Sequence, residues 1–142
     1  LIAALDRFAT AYQSEIVTAI LWRLGVAPRG GTEDRALVQT FEQALRTSDA
    51  PLHRVYFDLF GGQVPDSYDE TWNSLRDLIE PYAPRRTRDH AYWQGEPESM
   101  LIDEVEAIWA PIADADDWGL LHDKIARVRA MGEALADPGA VA

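Results

Sequence analysis

LIAALDRFATAYQSEIVTAILWRLG, residues 1–25, decides how the chain is read. Leu1, Leu5, Phe8, Tyr12, Ile16, Ala19, Ile20 and Leu24 recur mostly at steps of three and four, the period of one stripe on a helix. Asp6, Arg7, Gln13, Glu15 and Arg23 fall mostly off that stripe. No Pro or Gly interrupts the run, and Gly25 follows where a left-handed C-terminal cap is wanted. A stripe of this length predicts one long helix whose apolar side other helices cover.

The residues after it repeat the pattern. Pro28 and Gly30-Gly31 predict a turn, Thr32 an N-cap, and Glu33 and Asp34 a favourable first turn of a helix over 32–46. Leu37, Val38, Phe41, Ala44 and Leu45 would face inward. Asp49 caps a short predicted helix over 50–60, with Pro51 in its first turn and Leu52, Val55, Tyr56, Leu59 and Phe60 inward. Gly61-Gly62 ends it. Ser67 and Glu70 have capping-box spacing, so a fourth helix runs to about Glu80 with Trp72, Leu75, Leu78 and Ile79 inward. A fifth covers 98–109, with Leu101, Val105, Ile108 and Trp109 as its stripe, and Pro111 should end or kink it near Ile108. Asp116 or Asp117 caps the last, whose stripe is Leu121, Ile125, Val128, Gly132 and Leu135, with Lys124, Arg127 and Arg129 outside it. The expected fold is all-α: an irregular antiparallel array of about six helices, one domain over 1–136 and a flexible tail over 137–142.

Composition narrows the function. The 142 residues are 47% hydrophobic and include five Trp, enough for a packed core rather than disorder. A net charge of −11 disfavours nucleic acid and anionic lipid as partners and suits a basic one. There is no Cys, which removes disulfides and thiolate metal sites. No charge-free apolar run is long enough to span a bilayer, and a cytoplasmic location is expected. A helical stripe already under way at Leu1 suggests a fragment of a longer protein.

Several stretches invite a chemical reading and fail its requirements. Gly30-Gly31-Thr32 lacks the spaced glycines and Lys-Ser/Thr ending of a phosphate loop. His53, His90 and His122 lie far apart, and none has a second His one helical turn away. Asp114, Asp116 and Gly119 match the start of a calcium loop, but Trp118 and Ile125 stand where oxygen ligands are required. Arg85, Arg86 and Arg88 form a basic loop suited to a phosphate or an acidic neighbour, or simply to balancing surface charge. Tyr92-Trp93 reads as an aromatic plug rather than a base-stacking platform. No catalytic, cofactor-binding or metal-binding residue is assigned.

Three stretches together resemble the C-terminal helical region of the selenoprotein O family: ALDRFATAYQSEIVTAILWRLGV at 4–26, EDRALVQTFEQAL with SDAPLHRVYFDLFGG within 33–62, and MLIDEVEAIWAPIADADDWGLLHDKIARVRAMGEAL at 100–135. The landmarks are the Phe8–Tyr12 spacing and Leu24-Gly25-Val26. The tail resembles a bacterial branch without the selenocysteine-type ending, so redox control through such a residue is not expected. The resemblance implies a longer protein with a kinase-like domain that transfers AMP from ATP to hydroxyl side chains of other proteins, using Mg. The family's nucleotide loop and its ATP- and metal-contacting residues have no matching positions here. This chain is therefore expected to be a non-catalytic support, without cofactor of its own, whose partners are the kinase-like domain and protein substrates. The alternative is an independent acidic interaction module, for which exposed aromatics among Trp22, Tyr92 and Trp93 would speak.

Overall fold

Gly25 closes the first helix as its position predicts. The computed structural model describes residues 2–136, with side chains from Phe8 onward; the expected tail at 137–142, and the side chains of Leu1 and Leu5, lie outside the described residues. Helix α1 spans Ile2–Leu24. Gly25 has φ +68°, its amide donates to the Trp22 carbonyl at 3.1 Å, and the Val26 amide donates to the Leu21 carbonyl at 3.1 Å. That pair of bonds is the Schellman termination. A Cβ on Gly25 would stand 2.7 Å from the Phe60 ring, so packing as well as φ requires glycine.

Five further α-helices follow among the described residues: α2 Gly31–Thr47, α3 Leu52–Asp58, α4 Asn73–Ile79, α5 Ile102–Ala115 and α6 Gly119–Leu135. Short 3-10 turns occupy Glu70–Trp72 and Ala91–Gln94. The fold is all-α. The described residues contain no strand, only an isolated bridge between Val26 and Pro84. The sequence reading treats 1–136 as one domain; the contacts gather into two units, Leu1–Thr87 and Arg88–Ala142, described here one at a time.

The first unit owns the apolar core. Leu21, Leu24, Val26, Leu37, Phe41, Ala44, Val55, Leu59, Val64, Trp72, Leu75, Ile79 and Tyr82 are buried together. Each large side chain so buried is worth about 1.5–3 kcal/mol. Helices α2, α3 and α4 bury most of their predicted inward residues, except Leu52 and Leu78, which are exposed. Three backbone hydrogen bonds fasten the connections. The Ala27 amide donates to the Ala83 carbonyl, the Arg85 amide to the Gly25 carbonyl, and the Gly61 amide to the Leu24 carbonyl.

The long stripe of α1 is covered over its last turns alone. Leu21 and Leu24 are buried, and Val17 and Ile20 pack against the core. Phe8 and Tyr12 are 66% and 54% exposed and stack on each other at 5.9 Å. Helical geometry explains the correction. Each residue advances about 100°, so a run of four-residue steps drifts around the axis, and Phe8 ends about 160° from Leu24. What reads as one stripe is a spiral, and one neighbour cannot cover both ends.

Several caps are also reassigned. Gly30, not Thr32, is the N-cap of α2, and Pro51, not Asp49, that of α3. Asp69 takes the role assigned to Ser67, accepting from the Thr71 amide at 3.0 Å ahead of the turn that leads into α4.

In the second unit α5 continues through Pro111 to Ala115 rather than ending near Ile108. Its half-buried residues are Glu104, Ile108, Pro111 and Ile112, while Leu101, Val105 and Trp109 from the predicted stripe are exposed. On α6, Leu121 and Met131 are half-buried and Ala134 is buried, whereas Ile125 and Val128 remain exposed. Lys124, placed by the sequence outside the stripe, is one of the least exposed residues at 3%. Trp93 is buried under Tyr92, the ring centres 4.9 Å apart, as the plug reading anticipates.

Candidate functional site

Two polar clusters are the only places among the described residues where ionised side chains are buried, and each is the natural place to seek chemistry. The first is in the unit 1–87. Asp34, 6% exposed in the first turn of α2, reaches back past the helix start. One oxygen accepts the Arg29 amide at 3.0 Å and the Tyr82 hydroxyl at 3.0 Å; the other accepts the Gly30 amide at 2.9 Å. The Arg29 guanidinium donates to the Pro81 carbonyl at 2.7 Å and to Glu33 at 3.0 Å. Burial, and then the bond to Asp34, push the Tyr82 phenol up to about 12. The Arg29 and Gly30 amides at this turn, which a phosphate would need, are thus already held by an internal carboxylate. The cluster, with three donors on one carboxylate, fastens the α2 start to the chain after α4.

The second cluster lies in the unit 88–142. The Lys124 ammonium donates to Glu98 Oε2 at 2.6 Å, to Glu104 Oε1 at 2.7 Å and to the Ser99 carbonyl at 2.5 Å. Three protons meet three acceptors. Arg127 Nε adds a bond to Glu98 Oε1 at 2.9 Å, and Ser99 Oγ donates to Glu104 at 3.1 Å. Burial works against the Lys124 charge, but its bonds to Glu104 and Glu98 outweigh that, and its pKa is raised. The bond from Lys124 holds Glu104 below the usual carboxylate range. Two acids and two bases compensate one another, and a lysine kept protonated is neither nucleophile nor base. Sequence reasoning missed this cluster. The available signal was a lone Lys one turn from Leu121 and Val128, on the side of α6 that Leu121 and Leu135 mark as inward.

The residues singled out from sequence do not converge. His53 is half-buried on α3 and His122 is exposed on α6. His90 Nδ1 accepts the Tyr92 amide at 3.1 Å, and its Nε2 lies 3.6 Å from Glu133. Among the described residues no three His, Asp or Glu side chains group as metal ligands would. Asp116, at φ +53°, ends α5 and accepts the Trp118 indole N–H at 2.8 Å, while Asp117 accepts the Gly119 amide at 2.9 Å. Of the two acids of the apparent calcium loop, Asp116 is thus spent on a helix end and Asp114 stands exposed on α5. Arg85 lies over the Trp22 ring at 4.9 Å and Arg88 over Trp93 at 5.1 Å. These two arginines of the basic loop stand on separate indoles.

What remains is surface. Within 1–87 a groove of about 500 Å³ runs between α1 and the start of α2, lined by Gln13, Ser14, Val17, Thr18, Pro28 and Arg35 among others. Within 88–142, Ile102, Val105 and Trp109 stand exposed along α5, and Trp118 and Leu120 at the start of α6. The aromatics named from sequence as interface candidates are covered instead: Trp22 and Tyr92 are half-buried and Trp93 buried. No helix among the described residues is long and apolar enough to cross a membrane. Comparison with protein-family models, curated proteins and solved structures gives no match to this chain.

Proposed function

We propose that this chain is a non-catalytic helical support module, the C-terminal helical part of a protein adenylyltransferase resembling the selenoprotein O family. The reaction, AMP transfer from ATP with Mg, would belong to a kinase-like domain elsewhere in the longer protein. The observation that carries the non-catalytic half of this reading is that both buried charged side chains are held by internal hydrogen bonds. Asp34 is held by three donors, and Lys124 has every proton taken. Large apolar side chains, by contrast, are left at the surface of several helices, in groups on α1, α5 and α6. The family half of the reading rests on the three stretches at 4–26, 33–62 and 100–135.

Calorimetric titration of ATP with Mg into the 142-residue chain should give no saturable heat in the micromolar range. Saturable binding there would place a nucleotide site within the chain and overturn the non-catalytic reading. The coding sequence upstream of Leu1 tests the family half separately: a glycine-rich loop followed by a lysine-bearing strand is expected, and a start codon at Leu1 would refute it. A second reading, an independent acidic interaction module, draws on the net charge of −11 and the same exposed side chains.

A further inference from the structure

We propose that the outer face of α5 is a docking site for a basic amphipathic helix of a partner polypeptide. Ile102, Val105 and Trp109 are spaced i, i+3 and i+7, so they fall within about 60° on one side of the helix. They are 68%, 36% and 61% exposed, while the opposite side, Glu104, Ile108 and Pro111, is half-buried. The helix is thus apolar on two sides, and its own unit uses one. That second apolar side is the pattern by which one helix receives another.

Charge selects the occupant. Exposed Asp103 and Glu106 run along one edge of the stripe. From residue 88 to 142 there are twelve acidic residues against four basic ones. Two of those four, Lys124 and Arg127, are tied to Glu98 and Glu104. A second copy would bring the same acidic border against this one, and an anionic lipid surface would be repelled in the same way. A helix with apolar residues down one side and Lys or Arg beside them meets both the stripe and its border. Trp109 is the expected anchor, being the largest apolar side chain on the face.

The test uses the whole chain and a labelled synthetic helix of Leu and Lys in amphipathic register, with the same peptide carrying Glu for Lys as its counterpart. Fluorescence anisotropy should show saturable binding of the Lys peptide and none of the Glu peptide. Trp109→Ala should weaken the Lys peptide by about tenfold or more, and Val105→Ala should weaken it less. Raising salt from about 0.05 to about 0.3 M should weaken it several-fold, and the Asp103→Asn, Glu106→Gln double variant should bind less tightly with a flatter salt dependence. These positions are exposed, so unchanged far-UV circular dichroism should show each variant folded. Three results would each overturn the proposal: no saturable binding of the Lys peptide, binding indifferent to Trp109→Ala, or a dimer in sedimentation that Trp109→Ala dissolves.

Discussion

A lysine with both its neighbours ionised is stable only while they stay ionised. Glu104 has its pKa lowered in the folded chain, mainly by the bond from Lys124. Its contribution to stability is therefore full above the unfolded carboxyl pKa of about 4.5 and is lost as pH falls through the lower folded value. Lys124, with a raised pKa, contributes fully below its unfolded value and loses that contribution only as pH climbs past the raised one, in strong alkali. Acid is thus the accessible weakness of the unit 88–142. Urea midpoints followed by circular dichroism should fall as pH is taken below about 4.5. Glu104→Gln should be less stable at neutral pH, because it takes away an ionised partner of a buried ammonium, and its midpoint should fall less over the same acid range. Equal acid slopes in the two proteins would contradict the linkage.

At the scale of an element, α1 and α5 show where the sequence was legible and where it was not. Every predicted helix exists, because periodicity and the breakers Gly25, Gly61-Gly62 and Pro81 are local signals. Facing was legible only where a helix has a single apolar side, as on α2, where Leu37, Val38, Phe41 and Ala44 are all buried. Helix α5 has two, and nothing in its spacing tells Ile108 from Trp109; only the neighbour decides. Caps were legible to within a residue or two, since several nearby Asp, Ser and Thr can serve and the chain geometry chooses among them. The Asp34–Tyr82 cluster joins residues 48 positions apart and had no local signature. Pro111 shows a local rule overridden: it sits inside α5, where it can donate no bond to the Ala107 carbonyl. Pro111→Ala should restore that bond and stabilise the unit by about 1–3 kcal/mol, read from urea unfolding. A loss of stability would mean that the half-buried ring contributes more by packing than it costs the helix.

For the molecule as a whole, the two units differ in what holds them. The unit 1–87 has a contiguous apolar core including Phe41, Trp72, Leu75 and Ile79. Among the described residues of 88–142 the buried ones are few: Trp93, Ala134 and Lys124. Local opening follows buried apolar area, so protection from hydrogen exchange should be uneven. Amides of α2 and α4 should exchange slowest, and those of α5 and α6 orders of magnitude faster, by mass spectrometry of peptic fragments. Uniform protection along the chain would show that one cooperative core spans both units.

Lys124 is the sole lysine in the sequence, and it is all but sealed from solvent. Reagents that acylate side-chain amines need the unprotonated nitrogen and a path to it, and the folded chain offers neither. The mass increment such a reagent leaves at this position therefore counts openings of the α5–α6 hairpin, with no probe engineered into the chain.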